Sequence, residues 1–146
     1  EVLAAADHLS VRDADGWLHT GDLGIVDDEG YLHLSGRRHD MVIRGGENVY
    51  PQDVENVLST HPGVAMVGVV GVPDARLGET LAAFVVPADP ATPPHPEELH
   101  SFARVSLAGF KVPQYWHFVA ELPLNSAGKL TRSALRASHQ RRHLSD

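Results

Sequence analysis

At 146 residues, 42% of them hydrophobic and 21% charged, the chain has the size and composition of one globular domain. Such a chain buries roughly two-thirds of its unfolded surface. Twelve Lys and Arg against nineteen Asp and Glu leave a net charge of −7, which argues against nucleic acid as a partner, because phosphate backbones need clustered positive charge. The absence of cysteine excludes disulfides, thiolate nucleophiles and Cys-zinc sites, and no apolar run approaches transmembrane length.

The opening "EVLAAADHLS" reads as the end of a helix already under way, with neither an initiator methionine nor a signal peptide, so we expect a piece of a longer protein. "GWLHTGDLGIVDDEGYLHLSGR" places two short apolar segments around the turn signal "DDEG", which predicts a β-hairpin with Leu23, Ile25, Tyr31, Leu32 and Leu34 among its strand residues. Next, the short run Met41 to Ile43 stops at Gly45 and Gly46. Pro51 suits the first turn of a helix whose buried face carries Val54, Val57 and Leu58, and "HPG" at 61–63 ends it.

"VAMVGVVGVP" and "ETLAAFVVPA" are β-branched enough for buried strands, linked by the polar "DARLG". The Pro-rich "ADPATPPHP" leads to a helix over about 97–108, with Leu99, Phe102, Ala103 and Leu107 on one face. "YWHFVAEL" predicts a third core strand, and "TRSALRASHQRRH" a basic helix that frays at its end. No internal repeat is evident. Trp17, Trp116 and Phe118 read as core or strand residues, and His139 and His143 as an exposed polar helix face rather than a metal site, since Arg141 and Arg142 repel a cation. The expected fold is mixed α+β: a small β-sheet flanked by helices, preceded by the hairpin.

Three loops could carry chemistry: "HTGDLG", "SGRRHDMVIRGGENVYP" and "ELPLNSAGKLTRSAL". Each alone is ambiguous. "TGD" fits a turn with an Asx hydrogen bond, and "RGGEN" fits a flexible connection. "AGKL" lacks the distant glycine and the following Ser/Thr of a phosphate-binding P-loop, which excludes that reading. Lys129, after the Ala127-Gly128 pair, is either a solvated loop residue or an arm that reaches an anion elsewhere.

Taken together and in order, "GWLHTGD", "GR", "GGENVYP..VE..L" and "P....GK" resemble the C-terminal part of the adenylate-forming (AMP-binding) enzymes. The likeness runs from about residue 16 to 135, and "GGENVYPQDVE" looks like the acyl-CoA synthetase (fatty-acid–CoA ligase) branch. The resemblance implies an acid–thiol ligase that consumes a small carboxylic acid, ATP with Mg2+, and CoA, and works in the cytoplasm. It implies that residues 1–38 close a large N-terminal domain acting in cis, while 39–146 form a mobile C-terminal lid. Asp22 would accept hydrogen bonds from the ATP ribose, Arg37 would contact the ribose or phosphates, and Lys129 would serve as the catalytic cation of adenylation. His39 would occupy the hinge, where relatives usually carry Lys or Asp and where any polar residue serves. Arg44, Gly45, Gly46, Glu47 and Asn48 would line the CoA tunnel, and Phe110 and Lys111 would meet the CoA adenine nucleotide. The piece alone is expected to hold no metal or cofactor and to have no ligase activity. An enzyme that loads a carrier protein and a non-enzymatic binding module are the alternatives.

Overall fold

A computed structural model describes residues 12, 13 and 15–143, so the opening helix lies outside the described residues. The chain divides into two compact units, 1–39 and 40–146.

The first unit is built on the expected hairpin. Strand β1 (Asp22–Val26) pairs antiparallel with β2 (Leu32–Arg37), with a bulge between Leu23 and Gly24. Tyr31 stays just outside β2. Contrary to the sequence reading, the unit contains an internal repeat. "DADGWLH" at 13–19 and "DDEGYLH" at 27–33 share the pattern Asp-x-Asp/Glu-Gly-aromatic-Leu-His.

In the first copy Asp13 Oδ1 accepts from the Asp15 and Trp17 amides, and Oδ2 lies 2.8 Å from His19 Nε2. In the second, Asp27 Oδ1 accepts from Glu29 and Tyr31, and Oδ2 lies 2.6 Å from His33 Nε2. Gly16 and Gly30 stand at φ +86° and +87°, which only glycine adopts without strain. Both carboxyls are held below the usual aspartate range, Asp13 first by the Trp17 amide and Asp27 first by His33. The repeat escapes a sequence scan because each copy is only seven residues long. Trp17, expected as a core or strand residue, is in neither and is 73% exposed, and Ile25, Tyr31, Leu32 and Leu34 are exposed as well.

The second unit is a five-stranded sheet between helices. Strand β3 (Val42–Arg44) pairs with β4 (Glu47–Val49), and β5 (Val64–Asp74) forms a long hairpin with β6 (Gly78–Pro87). β6 continues the sheet on its other side, first to β3 at Arg44↔Gly78 and then to the parallel β7 (Tyr115–Phe118). β6 alternates between two cores. Leu81, Ala83 and Val85 pack with Val69 of β5 against α1 (Pro51–Leu58) and α2 (Pro96–Ser106) through Val54, Leu58, Leu99 and Ala103. Ala82 and Phe84 pack with Val70 and Val72 against Leu135 of α3 (Arg132–His143). Burial on both faces explains why these strands read as near-continuous apolar runs, and each large side chain buried contributes about 1.5–3 kcal/mol. Pro occupies the first turn of α1 and α2, where its missing N–H costs nothing.

A second correction concerns α3. His139 is only 4% exposed, not part of a polar surface. Its Nδ1 lies 2.9 Å from His117 Nε2 on β7, and its ring packs on Tyr115 and His143. Helix packing over β7 turns His139 inward, while Arg141, Arg142 and His143 stay exposed. Burial, then the neighbouring His139, Arg142 and His143, push His117 down to about 4; burial and then His143 lower His139. Among the described residues no group of three His, Asp or Glu side chains converges to hold a metal.

Candidate functional site

Asp22 and Arg37 are cross-strand partners at the open end of the first hairpin. Arg37 Nε donates to Asp22 Oδ1 at 3.2 Å, so the guanidinium fixes the carboxylate while both remain partly exposed. Asp22 N also donates to Thr20 Oγ1, and Arg38 N to the Gly21 carbonyl at 2.8 Å. The last bond folds the exit of β2 back over Gly21, whose φ of +75° favours glycine. Thr20, Gly21, Asp22 and Arg38, with Leu18, His19 and His39 but not Arg37, line an open concavity of about 460 Å³. His39 itself is exposed, in the short 3-10 turn Arg38–Asp40 that leads out of the first unit.

In the second unit "RGGEN" is a tight β-turn rather than a flexible connection. Arg44 opposes Glu47, and Gly45 and Gly46 form the two-residue link at φ +58° and +90°, the pattern of a type I′ hairpin. Arg44 Nη1 crosses to the carbonyls of Phe110 and Val112 at 2.9 and 2.8 Å. The turn is thereby joined to the 3-10 segment Gly109–Lys111, and burial lowers the Arg44 pKa. Lys111 Nζ lies 2.9 Å from Asp53 Oδ2, so its charge is already matched. The structure thus brings Arg44, Phe110 and Lys111 into one group.

Lys129 stands elsewhere in the unit, on a loop whose backbone is fully specified. Asn125 Oδ1 accepts from the amides of Ala127 and Lys129, Asn125 N donates to the Lys129 carbonyl, and Gly128 N donates to the Asn125 carbonyl. Gly128, at φ +73°, closes the turn, and Leu124 and Leu130 bridge its base. The side chain after it is exposed, and among the described residues its ammonium has no partner. These bonds define the backbone at the lysine's base, and the side chain projects from it. Leu130 then seats over Gly68 of β5, where an added Cβ would come within 2.8 Å of it.

Sequence reasoning missed a dense polar cluster in the second unit. Arg132, at the start of α3, donates through Nη1 and Nη2 to both oxygens of Glu55 on α1, through Nη1 to the Val69 carbonyl, and through Nε to Asp40 Oδ2 at 3.1 Å. Glu55 Oε1 also accepts from the Val69 amide at 2.8 Å. β5 pairs with a strand on one side only, so the pair caps the free edge of that strand at Val69. Burial opposes the Arg132 charge, but the hydrogen bonds and charge of Glu55, then of Asp40, outweigh it and raise its pKa. Asn125 was missed as well, although an Asn three residues before a Gly is a legible turn signal.

The sequence profile of the AMP-binding enzyme C-terminal domain matches residues 53–129, just over half of the chain. A fatty acid–[acyl-carrier-protein] ligase, ScoC, of Streptomyces coeruleorubidus is 50% identical over 122 residues, covering 84% of this chain and 23% of the relative. A 2-succinylbenzoate–CoA ligase of Bacillus cytotoxicus is 51% identical over 122 residues, 84% of this chain and 25% of the relative. Among solved structures, ATP-bound MatB from Rhodopseudomonas palustris superposes with a TM-score of 0.82 at 38% identity, covering 92% of this chain and 27% of that one. The chain thus spans about a quarter of the length of the curated relatives it matches. With the mixed α+β fold, the ordered motifs and the profile in agreement, the chain belongs to the AMP-binding enzyme C-terminal domain family.

Proposed function

We propose that this chain is the C-terminal part of a cytoplasmic, ATP-dependent acid–thiol ligase. Residues 1–38 end a large domain in cis, and 39–146 swing about His39 as a lid. In the first half-reaction a carboxylate oxygen of the acid attacks the α-phosphorus of ATP, diphosphate leaves, and an acyl-adenylate forms. In the second, a thiol attacks the acyl carbon and AMP leaves. Mg2+ accompanies ATP and offsets charge on its phosphates.

The observation that carries this reading is the Lys129 ammonium, without a partner among the described residues, on a pre-formed loop of this family's domain. Such a cation, placed between carboxylate and phosphate, stabilises the charge that develops as the two anions meet. Asp22, held by Arg37, suits ribose hydroxyls because a carboxylate is acceptor-only. The turn at Gly45 and Gly46 would then face the thiol's path, since backbone without side chains makes a narrow wall.

CoA is the acceptor named for the Bacillus cytotoxicus relative. A carrier protein is the second reading, favoured by the Lys111–Asp53 pair, which leaves Lys111 less charge to offer a CoA phosphate, and by the likeness to the Streptomyces ligase. Thioester yield with CoA and with carrier protein separates the two.

The test of the proposal is Lys129→Ala in the full-length enzyme. Acyl-adenylate formation should fall roughly a thousandfold, about 4 kcal/mol of transition-state stabilisation, while thioester formation from supplied acyl-adenylate survives. Equal losses in both half-reactions would overturn the assignment.

A further inference from the structure

Buried charge balance in the Arg132 cluster is complete without Asp40. Glu55 alone matches the guanidinium one to one, and the two side chains together cap Val69. Asp40 is nonetheless bonded to a further donor of the same guanidinium, Nε, at 3.1 Å. It is the first residue of the second unit, immediately after His39. Arg132 in turn lies three residues beyond Lys129, and the intervening backbone is pinned: Leu130 is seated over Gly68, and Thr131 N donates to the Pro123 carbonyl at 2.8 Å.

We infer that Asp40 is a positioning residue for Lys129, acting through Arg132. The inference rests on the reading of Lys129 as the adenylating lysine and of His39 as the pivot. The point where the chain enters the second unit is tied by one planar, rigid guanidinium to the base of the lysine loop. A rotation delivered at residue 40 therefore reaches Lys129 without slack. Effective catalysis tolerates little misplacement, so a slack linkage lowers rate without altering the fold. Asp40 is the suitable group to perturb, because it is half-buried and its removal leaves the Glu55–Arg132 pair intact.

The experiment uses the full-length enzyme and measures adenylation by ATP–pyrophosphate exchange, with a thermal melt of each variant. Asp40→Ala should lower the adenylation kcat about tenfold, leave KM for ATP within about twofold and shift Tm by no more than about 2 °C. Asp40→Asn, which keeps an acceptor for Nε, should restore most of the rate. If Asp40 acts through Lys129, Asp40→Ala introduced into Lys129→Ala should cost less than about twofold further. A tenfold loss in both backgrounds, or no loss in either, overturns the inference. If Lys129→Ala itself adenylates normally, the ligase reading fails and this inference with it.

Discussion

Acidification should destabilise the second unit through the histidine stack of β7 and α3. The unfolded chain titrates His117 near 6.5, whereas the folded one holds it at about 4, because burial comes first and then His139, Arg142 and His143 disfavour its charge. Between those values the folded state binds fewer protons than the unfolded chain, so stability falls as pH drops through that window. For His117 alone the linkage amounts to about 2 kcal/mol at pH 5, and solvent screening of a half-buried ring reduces this to roughly 1 kcal/mol. His139, lowered in the same direction, adds to it. Asp74 and Asp89 are lowered from 3.8, so their stabilising contributions are lost only below that value and do not contaminate the measurement. The assay is urea unfolding at about pH 7.5 and about pH 5, followed by Trp116 fluorescence in a Trp17→Phe background. We expect the midpoint to fall by roughly 0.5–1 M urea. His117→Phe, which keeps a ring against Phe84, should at least halve that fall. An unchanged pH dependence in His117→Phe would refute the reasoning.

Two further predictions concern the loops. An added Cβ at Gly46 meets nothing within 4 Å, so Gly46→Ala should cost only the price of a positive φ, about 1–2 kcal/mol of urea-measured stability; a loss under about 0.3 kcal/mol would contradict the turn. Asn125→Ala removes both acceptor bonds that hold the Lys129 loop, and should lower adenylation about tenfold with Tm shifted by only a few degrees; an unchanged exchange rate would show that the loop needs no side-chain support.

The buried hairpin of β5 and β6 is legible because both of its faces are covered, which forces an apolar run with β-branched residues. α1 is legible from Pro51 and the spacing of Val54 and Leu58. β4 is not, because three residues carry too little periodicity; only pairing with β3 makes Glu47–Val49 a strand. At Lys129 the sequence suggests a mobile arm, yet Asn125 makes its backbone fixed. His139 and Arg132 were misread or missed for one reason. Both are polar residues on a basic helix, and the partners that draw them inward, His117 and Glu55, lie 22 and 77 positions away.

The distance between Arg132 and its partners also bears on how the chain is made. Asp40 precedes Arg132 by 92 positions and Glu55 by 77. Until residue 132 has left the ribosome, Glu55 can cap the Val69 amide only as an uncompensated carboxylate, and breaking a buried pair in this way costs about 3–5 kcal/mol. The sheet also lacks Leu135 over Phe84 until then. The second unit therefore cannot close cooperatively while it is being synthesised, whereas the turns at Asp13 and Asp27 close on partners no more than six residues away. A nascent chain stalled before α3 would present an open, degradable second unit.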